Sequence, residues 1–201
     1  MKPAIFLSAS VPEAGRAGYE SANRLLIREA VAALAEVILG RRLLVWGGQP
    51  AITPMMWAAA EGLGAVYSTS VHLFQSSYWA DRYPEDNKRF GNVTYVPAVP
   101  DDKAASLLAL RTAMFRRYVY SAAVFIGGME GVVHEYELFG EMCPGAKRVC
   151  LASPGGVSRM LFDRDGGDDF ERDSIDFTRM LYRDLQIDTD ERREGIDGTL
   201  L

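Results

Sequence analysis

The sequence predicts a doubly wound α/β domain, a parallel sheet with helices on both faces, and three observations carry that expectation. Short apolar runs alternate with longer stretches of helical period. Several of those runs end in small or glycine-rich turns that lead straight into a helix. The chain has 201 residues, 48% hydrophobic and 24% charged, which is enough to bury one core. One domain is therefore expected over residues 1–187, followed by a polar, disordered tail over 188–201.

Residues 4–7 are an apolar strand that ends at Ser8-Ala9-Ser10-Val11-Pro12. A helix is expected over 19–39, because Ile27, Val31, Leu34 and Ile38 recur at helical spacing and Gly40 suits its C-terminal end. Residues 43–46 form a second strand, broken by Gly47-Gly48-Gln49-Pro50. Thr53-Pro54 reads as an N-cap followed by proline at the first helical position. A third strand lies within 65–74, with limits blurred by Ser68, Thr69 and Ser70, and the aromatic, polar stretch 75–91 reads as a loop. A strand over 92–99 precedes a helix capped by Asp101 that buries Leu107, Leu110 and Met114. A strand over 122–126, a helix over 131–141 and a strand over 148–152 follow. After a loop over 163–173, one last amphipathic helix is expected over 175–185.

Charge and cysteine content exclude several classes. A net charge of −5 disfavours a nucleic-acid partner, which needs a basic stripe, but it leaves small phosphorylated ligands open, because backbone amides hold anions without net positive charge. Cys143 and Cys150 are the only cysteines; they match no common zinc spacing and read as plain thiols, so no metal is expected. Neither His72 nor His134 has a partner at metal spacing, and both read as structural. No apolar run approaches the ~20 residues of a membrane span, and the N-terminus is too short in apolar residues for a signal peptide. A cytoplasmic protein with no membrane partner is expected.

In a parallel sheet the ligand sits past the C-terminal strand ends, which directs attention to the turns. The turn Gly127-Gly128-Met129-Glu130-Gly131 follows a strand and opens a helix. Its glycines permit positive φ and close approach, and the helix directs its positive end to the same place, which suits phosphate. Glu135 lies about one turn into that helix, within reach of a ribose. The turn is neither GxGxxG nor a P-loop, which disfavours a nicotinamide dehydrogenase and a nucleotide triphosphatase. Gly47 and Gly48, and Ser153 with Gly155 and Gly156, repeat the design. Ser8 and Ser10 read equally as phosphate donors or as a turn closed by local hydroxyl bonds. Arg111 reads either as a phosphate clamp or as a solvated charge.

Four stretches, IFLSASVP at 5–12, VWGGQPAITPM at 45–55, VFIGGMEGVVHEYELF at 124–139 and LASPGG at 151–156, together resemble the SLOG superfamily, named for the Smf/DprA and Lonely-guy proteins. The resemblance implies a Rossmann-like sheet that binds nucleotides or nucleotide-derived ligands, with homo-oligomers common. Lonely-guy enzymes are phosphoribohydrolases with a PGGxGTxxE motif and an upstream arginine-lysine pair. Here Ile126 replaces the proline, Glu130 is an extra residue, Val132 stands at the threonine, and Thr112 occupies the lysine position. The form GGMEGVxxE is closer to the sensor domains of bacterial immune systems of the Thoeris type, which recognise cyclic ADP-ribose-type signals.

The resemblance therefore implies a sensor of an NAD-derived nucleotide in antiphage defence, with no resident cofactor. Since the chain has no room for an effector, a separate effector protein is the expected partner. The ligand would be held by Ser8, Ser10, Gly47, Gly48, Arg111, Gly127, Gly128, Met129, Glu130, Gly131, Glu135, Ser153, Gly155 and Gly156. The alternative is a Lonely-guy-like N-glycosidase acting on nucleoside 5′-monophosphates. Glu135 would then be catalytic and Arg111 would hold the phosphate. A DNA-binding module of the Smf/DprA kind is a third option, disfavoured by the acidic charge.

Overall fold

The computed structural model describes residues 3–63, 70–83 and 85–193. Six strands form one all-parallel sheet: β1 (Ala4–Ser10), β2 (Leu44–Trp46), β3 (Val71–Ser76), β4 (Val93–Val96), β5 (Tyr120–Gly127) and β6 (Lys147–Leu151). Their order in space is β4-β3-β2-β1-β5-β6. The chain thus builds outward from β1 on one side, then returns to β1 and builds outward on the other. The switch falls between β1 and β5, so the crevice at the C-terminal strand ends opens beside Ser8–Ser10. The fold is the Rossmann-like α/β domain expected from the sequence.

Because side chains alternate along a strand, each strand feeds two cores. Ile5 and Leu7 of β1 pack with Leu44, Trp46, Val124 and Ile126 beneath α1 (Arg24–Ile38), α2 (Thr53–Gly62) and α7 (Phe177–Asp184). Ala4 and Phe6 face the other way, with Val45, Phe74, Ala123 and Phe125, beneath α3 (Lys103–Arg117), α4 (Glu130–Met142) and α5 (Gly156–Arg164). Phe6 lies edge-on to Phe115 at 4.8 Å and stacked on Phe139 at 5.8 Å, fixing α3 and α4 over β1. Ser8 and Ser10 fall on this second face by the same alternation, toward α4.

Helix periodicity was legible where packing is one-sided. Ile27, Val31, Leu34 and Ile38 of α1 are fully buried, and Gly40 takes φ +77° just past the helix. Asn23 caps α1 by accepting from the N–H groups of Leu25 and Leu26. Residues 19–23, expected to be helical, instead hold only the 3₁₀ turn Tyr19–Ser21.

Several boundaries need correction. Asp102, not Asp101, caps α3 by accepting from Ala105 N–H, while Asp101 sits at φ +56°. Thr53 is not a cap: its hydroxyl donates to Gln49 O, and the Gln49 side chain accepts from Ala51 and Ile52 N–H. The expected loop over 75–91 begins inside β3 and contains two 3₁₀ stretches, Ser77–Arg82 and Glu85–Arg89. The loop over 163–173 contains α6 (Asp169–Arg172), capped by Asp168. Of the third strand expected in 65–74, residues 65–69 lie outside the described residues and 71–74 fall in β3.

At the C-terminal end, Glu191 pairs with Arg42 at 2.6 Å, and Arg193 donates to Leu39 O, so residues up to 193 rest against the end of α1. Of the expected tail over 188–201, residues 194–201 lie outside the described residues. No helix among the described residues is long and apolar enough to cross a membrane.

Candidate functional site

A cavity of about 450 Å³ opens beyond the C-terminal ends of β1, β2 and β3 and is closed on its far sides by α3 and the first turns of α4. Its polar focus is Glu135. Ser8 Oγ donates to Glu135 Oε2 at 2.5 Å, and Arg111 Nε donates to Oε1 at 3.3 Å. Arg111 Nη2 also donates to Gly131 O at 3.2 Å. The Arg111 side chain is only 9% exposed and that of Glu135 23%, so the pair is shielded from solvent screening. Residues 24 and 127 positions apart in the chain meet at this carboxylate. The reason is topological. β1 supplies Ser8 on its α4-facing side, and α4 follows β5, the direct neighbour of β1.

Of the residues expected to hold a ligand, Ser8, Ser10, Gly47, Gly48, Arg111, Met129, Gly131 and Glu135 line this cavity. Gly48 takes φ +67°, and its carbonyl accepts from the buried Gln75 amide at 3.2 Å; a Cβ there would collide with that amide.

Gly127 and Gly128 do not line the cavity, and their N–H groups are engaged within the fold. Gly127 N–H donates to Ser158 Oγ at 3.0 Å and Gly128 N–H to Ser10 O at 2.8 Å. These bonds occupy the two amides that the sequence offered as phosphate donors. Ser153, Gly155 and Gly156 also lie apart from the cavity. The Ser153 hydroxyl donates to Ser174 O, and Gly156 packs its backbone on Gly127.

Glu130 is at the rim, where Arg16 donates to it from Nε at 3.1 Å and from Nη2 at 2.7 Å, and Ala17 N–H adds a bond at 3.2 Å. The bond from Arg16, followed by the backbone N–H groups of Ala17 and of Glu130 itself, holds this carboxyl down at about 2. The pair ties the loop after β1 to the start of α4, and Arg16 itself lines the cavity.

The opposite wall comes from a stretch that carries no periodic pattern in the sequence. Gln75, Ser76, Trp79, Arg82 and Tyr83, from the end of β3 and the 3₁₀ stretch after it, line the cavity together with Gln49, Pro50 and Leu107. A signal was present: a cluster of aromatic residues and an arginine directly past a strand end, where ligands bind. Trp46, read as core, is 2% exposed and packs edge-on to Phe90, and it is also among the residues that line the cavity. His72, on β3, bonds through both ring nitrogens to Tyr118 and Thr94, a structural arrangement away from the cavity. Among the described residues no three His, Cys, Asp or Glu side chains gather as a metal site.

No curated protein matches the chain. The chain belongs to the SLOG cluster3 family, whose model matches residues 18–185.

Proposed function

We propose that the protein is a nucleotide-binding sensor whose ligand is an NAD-derived or cyclic ADP-ribose-type signal. It would work in antiphage defence with a separate effector and as a homo-oligomer. Family membership supports a nucleotide-related role. The single observation that carries the reading is the state of Arg111. In a phosphoribohydrolase this arginine would clamp the 5′-phosphate, whereas here it is buried and donates to Glu135 and to Gly131 O. Arg111 and Ser8 thereby hold Glu135 as an oriented anion, able to accept from a ribose diol. Phosphate groups would lie along Ser10, Met129 and Gly131, at the positive end of α4. Ligand-dependent switching requires that these contacts differ between two arrangements of the protein.

The N-glycosidase alternative retains one favourable observation, that Glu135 faces a cavity large enough for a nucleotide. Incubation with AMP, ADP-ribose and cyclic ADP-ribose isomers, followed by mass spectrometry, separates the two. The sensor returns each ligand intact, and Glu135→Gln weakens binding by about 10- to 100-fold, the usual range for a charged hydrogen bond. Free base and ribose phosphate, formed by water adding at C1′ as the glycosidic bond breaks, at a rate abolished by Glu135→Gln, would establish the hydrolase instead.

A further inference from the structure

We infer that the wall of the cavity opposite Glu135 is a nucleobase subsite, with Trp79 as its stacking platform. The inference rests on the nucleotide reading of the same cavity and extends it to the wall where, of the expected residues, only Gly47 and Gly48 lie nearby. The two ends of the cavity differ in chemistry. At one end stand Ser8, Ser10, Arg111 and Glu135, which suit hydroxyls and anions. At the other stand Trp79, Tyr83 and Pro50 with the amides of Gln49 and Gln75, and the exposed Arg82 beside them, which suit a flat ring with hydrogen-bonding edges.

The distance between the ends fits. β3, which ends at Gln75 and Ser76, lies two strand steps from β1, which carries Ser8, so the strand ends alone span roughly 10 Å at ~4.8 Å per step. A base-ribose-phosphate unit extends from one end to the other, and a ribose phosphate alone does not.

The platform is held in place. Trp79 is half-buried at a kink in the 3₁₀ stretch, with φ −114° and ψ 30°, and Tyr78 meets it edge-on at 4.9 Å. Among the described residues no aromatic ring stacks parallel on it. Tyr83 is fixed by donating its hydroxyl to Ser76 O at 2.9 Å and by packing on Tyr95 at 5.3 Å. Gln75 is 6% exposed and pinned by its bond to Gly48 O, so its orientation is set before a ligand arrives. A preset wall of this kind recognises a base with little ordering cost.

The test is calorimetric binding of ADP-ribose and of ribose 5-phosphate to the wild type, Trp79→Ala and Trp79→Phe, each checked for an unchanged melting temperature. ADP-ribose should bind more tightly than ribose 5-phosphate to the wild type. Trp79→Ala should weaken ADP-ribose by about tenfold to a hundredfold, the range of one base-aromatic stack, and leave ribose 5-phosphate unchanged. Trp79→Phe should restore most of the loss. An ADP-ribose affinity unaltered in Trp79→Ala, or an equal loss for both ligands, overturns the subsite while leaving the nucleotide reading in place. Wild-type protein that binds neither ligand overturns both.

Discussion

Two glycine turns of this molecule look alike in sequence and serve different ends. The turn at Gly127–Gly131 follows β5 and opens α4; the turn at Ser153–Gly156 follows β6 and opens α5. Each carries two glycines at positive φ, Gly127 and Gly128 in one, Gly155 and Gly156 in the other. Only the first reaches the cavity, and it does so through Met129 and Gly131 rather than through its positive-φ glycines. The second is a buttress. A Cβ on Gly156 would lie 2.5 Å from Gly127 C, and a Cβ on Gly18 would lie 2.7 Å from the Gly156 Cα, so three backbones pass at side-chain-free distance. Val157 N–H donates to Gly128 O across the same contact at 3.1 Å. Positive φ in these two turns serves the approach of backbone to backbone; the cavity is lined by what lies just beyond.

The comparison breaks most sharply at Gly156. Gly156→Ala combines left-handed backbone strain with a collision against Gly127, about 3 kcal/mol together. At this chain length thermal denaturation should record a loss of roughly 6–12 °C. A melting temperature equal to that of the wild type would show that the buttress is slack.

Ser158→Ala should come next. Its hydroxyl accepts from Gly127 N–H and lies 2.7 Å from Leu151 O and 3.0 Å from Gly155 O, so it links both turns. Its removal strands a buried N–H at a cost of about 1–3 kcal/mol. Hydrogen exchange should quicken at Gly127, and binding should change little in the folded fraction.

Gly131→Ala sharpens the contrast from the other side. A Cβ there meets only Arg111 Nη2, at 3.4 Å, and the position is helical, where alanine is favoured by up to ~1 kcal/mol. Stability should hold or rise, while ADP-ribose affinity falls on the order of tenfold, ~1.4 kcal/mol, because the methyl intrudes on the cavity wall. A drop in melting temperature would assign Gly131 to the buttress instead.

The smallest effect concerns Glu130. Its folded value of about 2 lies below the ordinary 4.5, so its pairing with Arg16 stabilises above pH 4.5 and is lost as pH falls toward 2. A carboxyl titration by NMR should place Glu130 near 2 in the wild type and higher in Arg16→Ala, still below its ordinary value because the backbone N–H groups of Ala17 and Glu130 remain.

The sheet and its turns were legible because apolar runs, glycines and helical spacing are local patterns. Strand order was not, since the pairing of β1 with β5 joins residues more than a hundred positions apart and leaves no local trace. The Glu135 end of the site could be named from the motif, yet the role of Arg111 could not. Whether an arginine meets a phosphate or a carboxylate depends on how α3 packs against α4, which residue types leave open. Trp79 and Tyr83 were passed over because 3₁₀ stretches lack the period that marks an element. Asp101 and Asp102 illustrate the same limit at a single residue, because either side chain suits an N-cap and only the backbone decides.

The central claim is that one cavity, bounded by Glu135 and Trp79, holds a nucleotide along its length. A crystal structure of the protein grown with ADP-ribose tests it most directly. Intact ligand should occupy that cavity, with its ribose on Glu135, a phosphate beside Ser10 and Gly131, and its adenine on Trp79. ADP-ribose bound elsewhere, or a cavity that stays empty at saturating ligand, would contradict it.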